Sequence, residues 1–542
     1  MKKILKIILL VVLALCIVVS AVACSKSKTV FERKDYEEVA TYAYSSASKI
    51  SDIDDYTYNG YSGYLALFSK VNDGITTQKI YDFANKAFVG TFTNVAATAE
   101  GQTAIAYTVS LRSINLIGED FPVSYYFVTK VETPYGEAPN AYTYSLYNAA
   151  GTEIAKTTKK VNVGLNSLTN TSIDIIRFEN NLYRIDATGA ITLVREGKDL
   201  NSGIPSFNRH YGDYYYRKTA TYLAVYNNDL ELVNYYVVPT TASNFVAFPI
   251  GEDNFFIQYL VEKFDVDSDY DFIRVDGMDR TKYDIVQKVL NVKKGSDKDI
   301  DTKYYIGNGF DRENNKEAFN GLKKKYEVAV QAVEIKDKAL APDIEAKIFA
   351  ISKDGKLGDV LNDTVDGETF FQIVSGDKVL IEDKIDRTFL YDYDAKLIGE
   401  VTGMNDTTKK FIITNEKIYD HDLNVVFDLA NSDFAMIQTF GENVLLFDAD
   451  TNTYKLVGTE FTLKEGTVDG ITTNIVDGGD QFFEVAVTQN TVSNYTIYNV
   501  NGVAVTGLSN VSAAVTVYDI EYKSAGIASM IVNGIRNFYV IE

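Results

Sequence analysis

The sequence predicts an all-β protein, and three observations support that prediction. Tyrosine (39 residues) and phenylalanine (30) are abundant, and aromatic and β-branched residues favour strands. Hydrophobic residues make up 46% of the 542-residue chain, which is enough to bury a large core. Short alternating segments such as Tyr222–Tyr226 are separated by turn residues along most of the chain, as in proteins built from many short strands.

One hairpin unit recurs along the sequence. A polar turn leads into an apolar strand, and a tight turn that begins with Asp or Asn leads into the next strand. Asp and Asn side chains bond to the nearby backbone and tolerate unusual dihedral angles, so they begin tight turns at little energetic cost. The clearest copies have this turn at Asp186, Asp420 and Asp448, and looser copies have it at Asp82, Asn148, Asn227, Ser352, Asp392 and Asn499.

Repeated hairpins indicate a repeat architecture, because one hairpin cannot bury its own apolar face. The rhythm of residues 55–542 resembles that of β-propeller proteins, whose four-stranded blades surround a central channel. Spacing between the turns ranges from 28 residues (Asp392 to Asp420) to 51 (Asp448 to Asn499), and no WD or kelch signature marks the blades. The resemblance therefore implies six to eight irregular blades, with stacked β-sandwiches as the alternative fold.

Residues 1–23 have the layout of a secretory signal peptide. Three lysines precede an apolar core at residues 7–22, which is shorter than the ~20 apolar residues of a membrane span. Residues 21–25 (Ala-Val-Ala-Cys-Ser) resemble the lipobox of bacterial lipoproteins, although leucine is usual at the position of Ala21. The resemblance implies cleavage before Cys24 and attachment of lipid to its thiol.

Cysteine usage supports a lipid anchor. Both cysteines of the chain, Cys16 and Cys24, lie in this N-terminal segment, so an exported body has no disulfide and no thiol chemistry. Acyl chains on Cys24 and on its added glyceride would hold the protein at the membrane. We expect a lipoprotein on the extracytoplasmic side of the cell membrane, with residues 24–54 as tether and residues 55–542 as the folded body. An uncleaved helix or a plain secretory signal is the alternative.

The charge balance argues against nucleic acid as a partner. Removal of residues 1–23 would change the formal net charge from −21 to −24, whereas nucleic-acid binding needs clustered Lys and Arg.

Residues 262–345 are highly charged and interrupt the hairpin rhythm. We interpret them as an elaborated blade with long loops, which are common places for binding.

An acidic run within this region is the best metal candidate. Asp265, Asp267, Asp269 and Asp271 resemble the alternating ligand spacing of a calcium loop. Tyr270, however, stands where such loops need glycine, and the twelfth position is aspartate where such loops have glutamate. We therefore favour a solvated acidic strand face and no cofactor, with calcium as the alternative.

A polar aromatic cluster is the best ligand-binding candidate. His210, Tyr214, Tyr215, Tyr216 and Arg217 could stack on a sugar ring, since tyrosine offers a flat apolar face with a hydroxyl. The interpretation that we favour is structural, with Tyr214 and Tyr216 facing the core and Tyr215 and Arg217 covering the other face.

Residue types needed for catalysis are scarce. The chain has two histidines and no cysteine after Cys24, and it contains neither an H-E-x-x-H motif nor a G-x-x-x-x-G-K-[ST] motif. We therefore predict a non-catalytic binding or scaffold module, whose partner is an envelope protein or a polysaccharide. The alternative is a glycan hydrolase or lyase that uses carboxylates in the propeller channel.

Overall fold

A computed structural model describes residues 44–542, with gaps at residues 117–120, 137–138, 162–172, 198–208, 252, 263–282, 302–303, 312–327, 335–345, 361–369, 375–377, 383–386, 393–396, 409, 477–480 and 521–524. In this part of the chain, 43 strands form eleven antiparallel sheets. No helix found there is long and apolar enough to span a membrane.

Apart from β1, each sheet consists of strands that are consecutive in the sequence. β1 is Ala47–Lys49. The first sheet contains β2 (Thr57–Ser62), β3 (Leu65–Asn72), β4 (Ile75–Asp82) and β5 (Ala87–Thr93); the second contains β6 (Thr103–Ile114), β7 (Val123–Pro134), β8 (Ala141–Asn148) and β9 (Glu153–Thr157). The third has three strands, β10 (Ile175–Phe178), β11 (Asn181–Ile185) and β12 (Ile191–Arg195). The fourth contains β13 (Arg209–Tyr211), β14 (Tyr214–Lys218), β15 (Tyr222–Tyr226) and β16 (Leu232–Val237).

Four further sheets keep the same order. The fifth contains β17 (Ala242–Gly251), β18 (Asn254–Glu262), β19 (Tyr283–Asn291) and β20 (Ser296–Ile300); the sixth contains β21 (Tyr304–Asp311), β22 (Val328–Glu334), β23 (Ala346–Ile351) and β24 (Leu357–Val360). The seventh contains β25 (Phe370–Val374), β26 (Lys378–Glu382), β27 (Arg387–Asp392) and β28 (Leu397–Thr402); the eighth contains β29 (Met404–Thr407), β30 (Ile412–Thr414), β31 (Lys417–Tyr419) and β32 (Val425–Asp428).

The last three sheets complete the chain. The ninth contains β33 (Phe434–Phe440), β34 (Asn443–Asp448), β35 (Thr453–Val457) and β36 (Thr462–Lys464); the tenth contains β37 (Gly466–Val468), β38 (Ile471–Val476), β39 (Phe482–Gln489) and β40 (Val492–Asn499). The eleventh contains β41 (Val515–Asp519), β42 (Gly526–Val532) and β43 (Ile535–Ile541), and its fourth strand is β1.

Central strands of the sheets are buried on both faces. In β7 the first six residues, Val123 to Val128, are all buried, and in β14 the run Tyr214 to Tyr216 is buried throughout. Alternation along a strand therefore directs side chains into two different cores, one on each face of the sheet. Aromatic and β-branched residues suit such strands because they fill both cores.

Each core lies between two consecutive sheets. Ten such cores are formed by described side chains, and they join all neighbouring pairs from the first sheet to the sixth and from the seventh to the eleventh. The tenth of these cores places Phe68 of the first sheet against Phe538 of the eleventh, with ring centroids 5.1 Å apart. The last sheet thus packs on the first, which is the arrangement of a β-propeller, and the all-β prediction is confirmed.

The N-terminal strand closes the last sheet. β1 pairs with β43 from Ala47 opposite Ile541 to Lys49 opposite Tyr539. The Ser46 amide also donates to the Glu542 carbonyl at 3.0 Å, and the Ala47 amide donates to the Thr506 carbonyl at 2.8 Å. Folded structure therefore begins by Tyr44, ahead of the predicted tether boundary at residue 54, because a polar three-residue strand carries no recognisable alternation.

The predicted number of blades was too low. Eleven sheets lie within the described residues, where six to eight were expected. Uneven spacing of the turn residues hid the true repeat, since the turn at Asp448 joins the second and third strands of its sheet while most others join the last two. The charged region 262–345 includes β19 to β22, which belong to the fifth and sixth sheets.

Turn residues predicted from the sequence cap the hairpins as expected. Side-chain oxygens of these residues accept backbone amides two to four residues further on, at 2.8 to 3.2 Å, from Asp82, Asn148, Asp186, Asn227, Ser352, Asp420, Asp448 and Asn499. The turn after Asp392 lies outside the described residues. Local hydrogen bonds thus set where most of these strands end.

Candidate functional site

The predicted tyrosine cluster lies inside the body, between the third, fourth and fifth sheets. Tyr215 packs in the core with the third sheet, while Tyr214 and Tyr216 pack in the core with the fifth. Tyr215 and Tyr216 are each 1% exposed, so protein covers both rings and leaves neither for a sugar to stack on. Tyr214 and Tyr216 thus have the core positions of the structural interpretation, and Arg217 is half-buried.

A network of polar contacts surrounds the Tyr215 ring. The Tyr215 hydroxyl donates to Asp174 Oδ1 at 2.7 Å, and Arg184 Nε lies 3.3 Å from Asp174 Oδ2. His210 stacks on the ring at 4.4 Å between centroids, and the Arg184 guanidinium lies 5.8 Å from the same centroid. Burial lowers the pKa of His210 below its ordinary value, so its imidazole is neutral near pH 7.

This network joins two sheets. Asp174 directly precedes the first strand of the third sheet and Arg184 lies in its second strand, while Tyr215 and His210 belong to the fourth sheet. The Tyr214 hydroxyl similarly donates to Asp253 Oδ1 at 2.6 Å, next to the fifth sheet, and burial raises the pKa of Tyr214 to about 12. Tyrosine hydroxyls here satisfy buried hydrogen bonds across sheet junctions, which is a structural role.

Two other predicted sites lie outside the described residues. They are the lipid attachment site at Cys24 and the acidic run of Asp265, Asp267, Asp269 and Asp271. Within the part of the chain that the structure describes, no group of three or more His, Cys, Asp or Glu side chains could hold a metal ion.

An open cavity of about 690 Å³ has the more varied lining chemistry of the two described below, and we call it the turn-face cavity. It lies where turns of the eighth, ninth and tenth sheets meet. Its lining consists of Lys410, residues 458–463, Tyr498 and residues 501–503. The volume falls within the range of about 300–1,000 Å³ that is usual for small-molecule sites.

Lys410 is the cationic group of the turn-face cavity. Its Nζ donates to Asn443 Oδ1 at 3.3 Å and lies 3.8 Å from Glu442 Oε2. Asn443 is fully buried, and its Nδ2 donates to the Val500 carbonyl at 2.7 Å. The amide thus ties the second strand of the ninth sheet to the turn of the tenth and holds one end of Lys410 in place.

Aromatic rings form another part of the lining. Phe461 lies 5.3 Å from Tyr498 between ring centroids, and both contact Phe483 beneath them, at 4.9 and 5.4 Å respectively. Gly502 makes this wall compact, because a Cβ at that position would lie 2.5 Å from the Cβ of Phe461. Its φ of +70° is also a conformation that glycine adopts most easily.

The turn-face cavity combines cationic, amide and aromatic groups. An amino group, the Asn501 amide and two aromatic rings that meet edge to face line the same space, which suits a polar molecule that carries an apolar face. Glu460 is the carboxylate of the lining. A second carboxylate, Glu442, lies beside Lys410.

A second cavity, of about 590 Å³, lies beside β29 and β33, the first strands of the eighth and ninth sheets. Its lining is Asn405, Asp406, Thr414, Asn415, Leu429, Phe434, Ala435 and Met436. Asp406 is the carboxylate there. This cavity has neither a cationic side chain nor a paired aromatic wall, so we regard the turn-face cavity as the better candidate.

Sequence reasoning missed the turn-face cavity. Lys410, Phe461 and Tyr498 come from three different sheets and are up to 88 residues apart in the sequence. The only local signal is a pair of turn glycines, Gly458 and Gly502, each close to an aromatic residue. That signal occurs at many other turns of the chain.

Comparison with known proteins gives only distant structural likenesses. No protein-family model and no curated protein sequence matches the chain. A crystal structure of a eukaryotic initiation factor is 10% identical, covers 88% of this chain and 89% of its own, and has a TM-score of 0.26. The Dos1 propeller is 10% identical, with 66% and 81% covered and a TM-score of 0.22.

A third similar structure is the β-propeller domain of the Trilobed protease from Pyrococcus furiosus, described as having an open velcro topology. It is 9% identical, with 85% of this chain and 97% of that chain covered and a TM-score of 0.18. Because these scores are low, the propeller assignment rests on the eleven sheets and on the cores between them.

Proposed function

We propose that this protein is a lipid-anchored binding module on the extracytoplasmic side of a cell membrane, and that it holds an envelope polysaccharide in the turn-face cavity without transforming it. The observation that carries the proposal is the convergence of Lys410 with the wall of Phe461 and Tyr498. A sugar ring offers hydroxyl or acidic groups to the amine and an apolar face to the aromatic wall.

The chain enters the folded body beside this cavity. Asn499 Nδ2 donates to the Tyr44 carbonyl at 3.0 Å, and Asn499 begins the turn that continues into the lining at Asn501. About 20 residues separate Cys24 from Tyr44, and they reach about 70 Å when fully extended. Lipid on Cys24 would keep the cavity within that distance of the membrane, where envelope polymers are concentrated.

Membrane attachment is tested by fractionation of the host cell. Expression of the full chain should place the protein in the membrane fraction, and Cys24→Ala should release it, because the thiol that would carry the lipid is removed. Mass spectrometry of the N-terminal peptide measures the lipid directly. Equal membrane retention of both forms, with no lipid on Cys24, would refute the anchor.

Ligand binding is tested by calorimetry with purified cell-wall polysaccharide from the host. We expect binding by the full chain and at least a tenfold loss in Lys410→Ala and in Tyr498→Ala. Lys49→Ala is the matched control, because Lys49 is an exposed surface lysine paired with Asp54. Release of shortened glycan products would show catalysis and overturn the non-catalytic assignment.

A further inference from the structure

One part of the turn-face cavity is formed by a turn of the tenth sheet, residues 499–503, which we call the lining turn. It continues into a short extended arm, residues 503–506. The Asn499 amide donates to the Val503 carbonyl at 3.0 Å. The Val505 amide donates to the Ile497 carbonyl of β40 at 2.8 Å. The lining turn is thus the loop of a hairpin between β40 and the arm.

The other side of the arm is covered by residues 44–47, which we call the N-terminal strap. The Thr506 amide donates to the Ser45 carbonyl at 2.7 Å, and the Ala47 amide donates to the Thr506 carbonyl at 2.8 Å. Tyr44 and Ala47 also pack against the core between the tenth and eleventh sheets. The arm therefore lies between β40 and the N-terminal strap, and it is hydrogen-bonded to both.

One side chain connects the N-terminal strap with the lining turn. Asn499 Oδ1 accepts the Asn501 amide at 3.0 Å and the Val503 amide at 3.1 Å, which stabilises the conformation of the turn. Asn499 Nδ2 donates to the Tyr44 carbonyl at 3.0 Å. Because Asn499 is only 2% exposed, these hydrogen bonds are shielded from water and costly to lose. Displacement of the strap would therefore disturb the turn through this amide.

The lining turn has a second support on the ninth sheet. Asn443 Nδ2 donates to the Val500 carbonyl at 2.7 Å and to Asn501 Oδ1 at 3.2 Å. Asn443 thus holds the beginning of the turn, while the N-terminal strap holds the arm that follows it. The residues of the strap are not part of the cavity lining. An effect of the strap on ligand affinity is therefore indirect.

Gly507 sets how closely the N-terminal strap approaches the arm. A Cβ at this position would lie 2.8 Å from the Ala47 carbonyl oxygen, so a larger residue pushes the strap away. The φ of Gly507 is +91°, which side chains other than that of glycine rarely adopt. Gly534, in the β42–β43 turn, has a similar φ of +80° but no described heavy atom within 4 Å of an added Cβ. Comparison of these glycines distinguishes strap displacement from backbone strain.

We propose that the N-terminal strap positions the lining turn, so that docking of the strap and binding of a ligand in the turn-face cavity stabilise each other. The inference rests on the proposed function, because it requires a ligand in that cavity. A ligand that contacts residues 501–503 would restrain the arm, and a restrained arm offers the strap fixed hydrogen-bond partners. Such coupling is reciprocal, so each event strengthens the other by the same factor.

Calorimetry with the full chain and purified cell-wall polysaccharide tests the coupling. Gly507→Ala should weaken binding about fivefold or more, because the added Cβ displaces the strap. Gly534→Ala is the matched control and should bind like wild type. Asn499→Asp keeps an oxygen for the turn amides but cannot donate to Tyr44, so it should also weaken binding. Circular dichroism at the assay temperature checks that each variant is folded.

The reciprocal effect is measured on the wild type and needs no variant. The Ser46 amide donates to the Glu542 carbonyl, and the Ala47 amide donates to the Thr506 carbonyl. Hydrogen exchange of both amides should slow when the polysaccharide is added, although neither residue lines the cavity. Exchange in the third sheet, which is remote from the cavity, should stay unchanged. A strap with a purely structural role would not respond to the ligand.

The outcomes distinguish this inference from the proposed function. Wild-type affinity in both Gly507→Ala and Asn499→Asp, or strap exchange that does not respond to the polysaccharide, would overturn the coupling and leave the binding function intact. Equal losses in Gly507→Ala and Gly534→Ala would overturn it as well, since strain alone would explain them.

If the wild type does not bind the polysaccharide, the proposed function fails and exchange without ligand decides whether the strap positions the lining turn. Faster exchange at residues 501–503 in Gly507→Ala than in Gly534→Ala would support positioning by the strap. Equal exchange in the two variants would refute it.

Discussion

At the residue scale, small polar side chains fix the ends of the strands. Asp186 is a clear case, because its Oδ1 accepts the Thr188 amide at 2.9 Å, the Thr188 hydroxyl at 2.6 Å and the Ala190 amide at 3.1 Å. The hydroxyl bond above all lowers the pKa of Asp186 below its ordinary value. Three hydrogen bonds to one carboxylate oxygen therefore stabilise the conformation of this turn.

Replacing this carboxylate should loosen the turn. We expect Asp186→Ala to cost about 1 kcal/mol and to speed hydrogen exchange at Thr188 and Ala190, measured by mass spectrometry. Asp186→Asn keeps the acceptor oxygen and is the control. Because the folded-state pKa is depressed, the stability from the charge is present above the unfolded value and is lost as pH falls through the folded one. The stabilities of wild type and Asp186→Asn should converge at acidic pH. A stability difference that grows as the pH falls would contradict this account.

Glu484 is a buried carboxyl group with the opposite pH behaviour. It lies between the tenth and eleventh sheets at 3% exposure, and its Oε2 accepts the Val515 amide at 2.8 Å. Burial raises the pKa of Glu484 above its ordinary value of 4.5. The charged form therefore destabilises the fold at neutral pH, and this cost disappears as pH falls below the unfolded value.

Neutral glutamine should suit this position better than glutamate. Glu484→Gln retains an oxygen that can accept the Val515 amide and removes the buried charge, so we expect a higher melting temperature at pH 7 and no difference near pH 3.5. Glu484→Ala should be destabilising at both pH values because the amide loses its partner. A lower melting temperature for Glu484→Gln at pH 7 would show that other interactions in the fold stabilise the Glu484 carboxylate charge.

At the element scale, turns that contact a neighbouring sheet constrain the chain more than turns that face solvent. Gly502 and Gly470 have similar positive φ values, of +70° and +79°, but only Gly502 faces a neighbour closely. Added atoms at Gly502 would collide with Phe461, while Gly470 has open space around it. Comparison of Gly502 with Gly470 therefore distinguishes the effect of backbone strain from the effect of crowding between sheets.

Alanine at the two glycines should therefore have unequal effects. Both variants carry the strain of positive φ, about 1 kcal/mol, but Gly502→Ala should lose about 2 kcal/mol more because Phe461 must shift. Denaturant unfolding measures the difference. Gly502→Ala should also weaken polysaccharide binding, while Gly470→Ala should not. Equal losses of stability would mean that the turn of the tenth sheet moves freely away from Phe461.

At the scale of the whole molecule, closure depends on the two ends of the described chain. β1 adds the fourth strand of the eleventh sheet, and its neighbouring residues also bond to Thr506 beside the tenth sheet. A salt bridge between Lys86 and Glu542 further joins the C-terminal residue to the first sheet. These contacts have nearly the largest sequence separation in the molecule, and such contacts are slow to form and decisive for closure.

Disruption of the contacts of β1 should destabilise the whole propeller. Ala47→Pro removes the amide that donates to the Thr506 carbonyl, and we expect a lower melting temperature and faster hydrogen exchange along β43. Ala47→Ser keeps the amide and is the control. If Ala47→Pro melts like wild type, the hydrogen bond from β1 to Thr506 does not contribute to closure.

Much of the architecture follows from local sequence. Strand-forming segments, the hairpin rhythm and nearly all the turn residues were predicted because an Asp or Asn side chain bonds to atoms two to four residues away. The number of sheets was not, since nothing local tells which strands share a sheet. The tyrosine cluster shows the same limit: alternation places Tyr214 and Tyr215 on opposite faces, but only packing shows that both faces are covered.

Composition and short-range hydrogen bonds were enough to predict an all-β repeat protein, its turns and the scarcity of catalytic side chains. The tertiary structure was needed to show that the described residues form eleven sheets, that β1 closes the last one, and that Lys410, Phe461 and Tyr498 meet in one cavity. It also decided that the apolar side chains of β16 stay exposed while those of β14 are buried. These features arise from contacts between residues far apart in the chain, whose pairing depends on how whole sheets pack together.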